Sequence, residues 1–146
     1  MVEDILYYKT SLRWDREKIG TVTFPQEGKP QIVVATPPEF GGHEGIITPE
    51  DMFVSAANVC FMTTFLGTAA NMGVKLISYD STATGTLEKV DKLRVFTKIV
   101  LRPRVEAVGS EEQILRMLDH AKKRCIAANS MKTEVVIEPT AISAQN

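Results

Sequence analysis

Residues 48–73 read TPEDMFVSAANVCFMTTFLGTAANMG, and their reading decides the fold. Thr48 can cap a helix, Pro49 suits its first position, and Glu50 and Asp51 complement the positive end of the helix dipole. Gly73 suits the position just past the end. The pattern predicts one helix reaching about Asn71. Its apolar residues, among them Phe53, Val54, Val59, Phe61, Phe65 and Leu66, point in nearly every direction. A helix that is apolar all round is buried. Ser55, Asn58, Thr63, Thr64 and Gly67 interrupt the run, which argues for a core helix rather than a membrane span. A chain of 146 residues supports one domain with a real core. So small a domain has little with which to wrap such a helix, so a partner subunit is expected to cover one face.

Outward from this helix the pattern changes. Residues 4–12 and 19–24 are rich in aromatic and β-branched residues and read as strands, as does 31–36 after the turn 25–30. A loop with Pro37-Pro38 and Gly41-Gly42 leads into the helix. Beyond it, strands are expected near 74–87 and 93–101 around a polar turn at 88–92. Ser110-Glu111-Glu112-Gln113 has capping-box spacing and opens a second helix. There Ile114, Leu118, Ala121 and Cys125 share one face. A last strand falls at 133–138. The order βββ-α-ββ-α-β, with an antiparallel start, predicts a single α+β domain.

Composition narrows the function. The chain is 44% hydrophobic and 24% charged, with a net charge of −1. That is ordinary globular composition and gives no electrostatic footprint for nucleic acid. Lys122-Lys123-Arg124 reads as a solvated helix face. The start, MVEDILYY, lacks the basic and apolar regions of a secretory leader, so a cytosolic location is expected. No membrane association is expected. His43 and His120 lack ligand spacing, so neither a metal nor another cofactor is expected. Gly41-Gly42 has no following Lys-Ser/Thr and reads as a turn rather than a phosphate loop.

The chain has two cysteines. Cys60 lies in the middle of the first helix and Cys125 near the end of the second. Both fall on faces expected to be buried, and free cysteine is often a plain core residue. The alternative is a two-thiol redox pair, since transient catalytic disulfides are the usual kind in the cytosol. A reactive thiol needs its pKa lowered. Cys60 is far from its own helix N-terminus, so a cation is required, with Arg13, Arg16, Lys18, Arg102 and Arg124 as candidates. Glu50 could hold that cation. Glu50 and Cys60 lie ten residues apart, about 15 Å along a continuous helix. Glu50 therefore serves Cys60 only if the helix breaks or if it acts on a second subunit.

Phe40-Gly41-Gly42, Thr48-Pro49-Glu50-Asp51 and Ala56-Ala57-Asn58-Val59-Cys60-Phe61 together resemble the OsmC/Ohr family, of osmotically inducible protein C and organic hydroperoxide resistance protein. Two further segments fit the resemblance. Ser81-Thr82-Ala83 through Leu87-Glu88-Lys89-Val90-Asp91 to Thr97-Lys98-Ile99 is similar to the family's middle strands, and Ala121-Lys122-Lys123-Arg124-Cys125 to its second cysteine helix. The resemblance implies an OsmC-like fold of antiparallel strands with a long buried central helix. It also implies an intertwined homodimer with active sites at the subunit interface. The implied activity is thiol-dependent reduction of organic hydroperoxides or hydrogen peroxide. Cys60 would be the peroxidatic thiolate, Cys125 the resolving thiol, and a dithiol reductant would restore both. Glu50 would orient an arginine beside the reactive sulfur.

This sequence departs from the family at three places. A family arginine in the loop before Pro-Glu falls here at about Phe40, which leaves the early region; Arg16 is the better match and Arg13 the fallback. The second cysteine is followed by Ile126 where proline is usual, and the histidine often found three residues before it is Lys122. These departures motivate a rival expectation, a non-enzymatic OsmC-like homodimer that binds a small apolar ligand at its interface.

Overall fold

A computed structural model describes residues 4–145. The chain divides into two compact units at Met52/Phe53. In the first, β1 (Ser11–Arg16), β2 (Ile19–Thr23) and β3 (Ile32–Ala35) form an antiparallel sheet in that order. Glu17 and Lys18 make the β1–β2 turn, where Arg16 pairs with Ile19 and Glu17 takes φ +47°. This turn corrects the expected strand over 4–12. Only residues 11–16 lie opposite β2, and residues 4–10 belong to no strand. Trp14 Nε1 closes the turn by donating to the Glu17 carbonyl at 2.8 Å. The loop after β3 holds a 3-10 turn, Pro38–Phe40, ended by Gly41 at φ +74°. Gly42 follows because a Cβ there would lie 1.7 Å from the Thr36 carbonyl oxygen.

Helix α1 (Pro49–Asn71) is continuous. Thr48 and Asp51 cap it reciprocally: the Asp51 amide donates to Thr48 Oγ1 and the Thr48 amide to Asp51 Oδ2, both at 3.0 Å. Gly73, at φ +66°, ends it as expected. There the amides of Gly73 and Val74 return to the carbonyls of Ala70 and Ala69. By length and composition α1 could cross a membrane, but here its stripe of Ala57, Phe61, Phe65, Thr68 and Ala69 is buried in the core.

The second unit is built on a long hairpin, β4 (Leu76–Val90) and β5 (Leu93–Val108), turned at Asp91-Lys92. Helices α2 (Glu111–Arg124) and α3 (Ile126–Ser130) follow, then β6 (Glu134–Ile137) and β7 (Thr140–Ala144). Both last strands pair with β5 in parallel. The sheet is therefore mixed, because a helical crossover returns the chain to the end at which β5 began. β5 runs seven residues past its expected end at 101. Proline usually breaks a central strand. Pro103 is tolerated because its neighbours change here: β6 pairs with residues 98–101 and β7 with 104–108.

α1 lies along β4 in the opposite direction. Val54 sits over Gly85, Asn58 Oδ1 accepts from Ser81 Oγ at 2.7 Å, and Phe65 packs on Tyr79 with ring centroids 5.6 Å apart. α2 presents Ile114, Met117, Leu118 and Ala121 to the same core, and Cys125 joins them, fully buried. Away from its buried stripe, α1 leaves Val59 55% exposed in the single chain, and Met72, just past its end, is 54% exposed.

Candidate active site

Cys60 projects from the middle of α1 toward the break between α2 and α3. That break is at Cys125, whose extended backbone (φ −68°, ψ 112°) ends one helix and caps the next. The consequence is chemical. The first amides of any helix lack partners within it. Here the Ala127 amide donates to Cys60 Sγ at 3.4 Å, and the Ile126 amide also faces that sulfur. The Ala128 amide serves Cys125 instead. The expectation of one helix through Cys125 is corrected by this break, and with it the expectation that only a cation could stabilise a Cys60 thiolate.

Cys60 packs against the buried cluster that contains Cys125, and the two thiols perturb each other's ionisation. Burial pushes the Cys60 thiol up, but the Ala127 amide, the Cys125 thiol, the Thr64 hydroxyl and the Ile126 amide together hold it below its ordinary value. Every one of these donors is uncharged. Cys125 moves the opposite way. Burial raises it first, and the neighbouring Cys60 raises it further, against the pull of the Ala128 amide. The pair thus consists of a partly exposed sulfur disposed to ionise and a buried one disposed to keep its proton.

The other expected residues are placed differently. Glu50 is in the first turn of the unbroken α1, ten residues before Cys60, and its Oε1 is buried without a hydrogen-bond partner. Arg13 and Arg16 are exposed in the first unit. Arg13 pairs with Asp15 and Arg16 with Glu17, each at 2.8 Å. Arg102 pairs with Glu138, and Arg124 faces His120. Thr64 and the α3 amides were not anticipated. Thr64 lies one helical turn beyond Cys60, a spacing that could have pointed to it, and its hydroxyl also bonds the Cys60 carbonyl at 2.8 Å. Among the described residues, no group of three or more His, Cys, Asp or Glu is arranged to hold a metal ion.

Fold and site together define a class: an α+β protein whose long central helix brings one cysteine against a second at a helix break. The chain belongs to the OsmC-like protein family, whose sequence model matches residues 42–140. An OsmC-like protein of unknown function from Vibrio cholerae is 30% identical, with a TM-score of 0.83 over 92% of this chain and 99% of that one. Two more distant structures share the fold. An OsmC-like protein from Mycoplasma pneumoniae is 18% identical, with a TM-score of 0.81 over 94% and 98% of the two chains. An organic hydroperoxide resistance protein from Legionella pneumophila is 17% identical, with a TM-score of 0.71 over 97% and 100%. A search of curated proteins found no match.

Proposed function

We propose that this protein is a two-cysteine thiol peroxidase that reduces organic hydroperoxides or hydrogen peroxide. The observation that carries the reading is the thiol pair, with Cys60 held below its ordinary pKa and packed against the buried cluster that contains a protonated Cys125. Structural neighbours named organic hydroperoxide resistance proteins agree with it.

The Cys60 thiolate attacks the terminal peroxide oxygen. The O–O bond breaks, the alkoxide takes up a proton and leaves as an alcohol, and Cys60 becomes a sulfenic acid. Cys125 then loses its proton and attacks the Cys60 sulfur. The disulfide forms, and the displaced hydroxide leaves with that proton as water. A dithiol reductant restores both thiols by exchange. A cytoplasmic location, where such reductants are plentiful, belongs to the same reading.

Glu50, with its orphaned carboxylate oxygen, is assigned the task of holding Arg16, or Arg13, beside a reactive sulfur. The helix is continuous, so this reading places Glu50 at the Cys60 of a second subunit. The exposed Val59 and Leu66 on α1, with Met72 just past its end, support a homodimer buried along that helix. In it, each chain contributes one OsmC-like domain. Arg16 must then leave Glu17 for Glu50. Their surface pair is worth under about 1 kcal/mol, so the exchange is accessible.

One observation favours a second reading, an apolar-ligand-binding homodimer without turnover: Ile126 stands 74% exposed beside the thiols. The two separate on one experiment. Reduced protein is treated with one equivalent of cumene hydroperoxide and mapped without reductant. A Cys60–Cys125 disulfide with loss of the peroxide supports the peroxidase. Intact peroxide and free thiols would sink it and leave the binding protein.

A further inference from the structure

A cleft of about 320 Å³ lies between the end of α1 and one face of α2, lined by Asn71, Met72, Arg116, Met117, His120 and Arg124 among others. It falls at the lower end of the sizes that take small organic ligands. Arg116, His120 and Arg124 recur at every fourth position of α2 and so share one face. Among the described residues that line the cleft, none is acidic. Met72 and Met117 give it an apolar side of flexible, polarizable chains. Neither cysteine lines it.

The fold's own needs do not account for these cations. Arg116 and Lys123 each meet a carboxylate one turn earlier, Glu112 at 2.7 Å and Asp119 at 3.0 Å. Arg124 meets His120 in that place, with its Nη1 3.4 Å from His120 Nε2. A guanidinium cannot accept a hydrogen bond, so this contact needs an unprotonated Nε2 and sets Arg124 against a neutral ring. Among the described residues no carboxylate forms an ion pair with Arg124. The dipole of α2 favours bases in its last turn, but Lys122 and Lys123 already serve it there, and neither lines the cleft. The end of α1 calls for no cation either, since the Ala69 and Ala70 carbonyls take the Val74 and Gly73 amides.

We propose that this cleft binds a small carboxylate carried on an apolar chain. The two guanidinium groups present planar forks that match a carboxylate. Arg116 has donors to spare while it holds Glu112. The chain of the ligand lies against Met72 and Met117. At about 30 Å³ per heavy atom, the share of a water in the liquid, the cleft holds about ten such atoms, about the size of an eight-carbon acid.

The test is a titration of octanoate into the reduced protein with 13C-labelled methionine methyl groups. The Met72 and Met117 signals should move together along one saturable curve. Octanol, of the same length without the charge, should bind at least about tenfold more weakly. Arg116→Gln and Arg124→Gln should each weaken octanoate by about tenfold, as the loss of a hydrogen bond to an ionised group does. Both side chains are exposed, so the variants should fold. Silent Met72 and Met117 signals, equal affinity for octanol, or unchanged affinity in both variants would overturn the proposal. A shift confined to Met131, which ends α3, would put the ligand beside the thiols and overturn it too. None of these readouts involves peroxide, so the site stands or falls apart from the peroxidase reading.

Discussion

The Ala127 amide reaches Cys60 Sγ at 3.4 Å across 67 residues of chain, and it does so because the helix breaks at Cys125. A continuous helix would consume that amide in its own ladder. The break therefore frees backbone donors for one sulfur and sets the other sulfur beside it. It follows that Cys125 acts on Cys60 before any oxidation. Cys125→Ala, which removes the thiol donor, should raise the Cys60 pKa and slow its alkylation by iodoacetamide at pH 7 several-fold. Thr64→Val should act in the same direction. Superimposable pH–rate profiles for wild type and Cys125→Ala would refute this.

The first turn of α1 makes a stability prediction. Thr48 is buried and its side chain satisfies the Asp51 amide. Thr48→Ala should cost about 1 kcal/mol, the usual value of an N-cap, whereas Thr48→Ser should cost much less. Urea denaturation of the three proteins decides it; equal midpoints for the wild type and Thr48→Ala would show that the cap is idle.

Packing of α1 on β4 turns on Gly85. A Cβ there would stand 2.6 Å from Val54 Cγ2 and 3.0 Å from the Phe96 ring. Gly85→Ala should destabilise by about 1–3 kcal/mol, as overpacked cores do. Adding Val54→Ala should recover part of the loss, since it removes the methyl that clashes. A double variant no more stable than Gly85→Ala alone would mean that the strain lies elsewhere.

These elements differ in how plainly the sequence shows them. α1 is legible because its signals are local: a capping Thr48, a proline at the first position and a terminating Gly73 all sit at the ends of the helix itself. The α2 face of Ile114, Leu118, Ala121 and Cys125 is legible from period alone, and all four are buried. The break at Cys125 is not, because LDHAKKRCIAAN keeps helical composition throughout. Pro103 misleads for a related reason. Its tolerance depends on two strands, β6 and β7, that meet β5 on either side of it. β7 itself is short and weakly patterned, and parallel pairing with β5 makes it a strand. The pairing of the thiols belongs to this second kind of information: each cysteine alone reads as a core residue, and only the fold makes them a pair.

The tip of the long hairpin offers a gain. Asp91 and Lys92 both have positive φ, +49° and +69°, as a two-residue turn between twisted strands requires. Lysine bears this conformation at a cost that glycine avoids. Lys92→Gly should therefore stabilise by about 0.5–1 kcal/mol, the strain relieved exceeding the added entropy of the unfolded chain. A lower melting temperature for the variant would contradict the turn geometry.

The thiols and Tyr79 together fix an alkaline limit. Tyr79 has its folded pKa raised from 10.0 to about 12. Its contribution to stability is fully present below pH 10, where both states hold the proton. It is lost as pH climbs toward 12, because the unfolded chain ionises first. Cys125, raised from 9.0, acts in the same sense and starts the loss near pH 9. Cys60, lowered from 9.0, acts oppositely: its contribution is present above pH 9 and fades as pH falls through its folded value. Being constant above pH 9, it does not alter that loss. Urea midpoints of the reduced protein should thus decline from about pH 9 to 11.5, and Tyr79→Phe should flatten the part of that decline above pH 10. Parallel curves for the two proteins would show that the Tyr79 proton is held no more tightly in the folded chain than in the unfolded one.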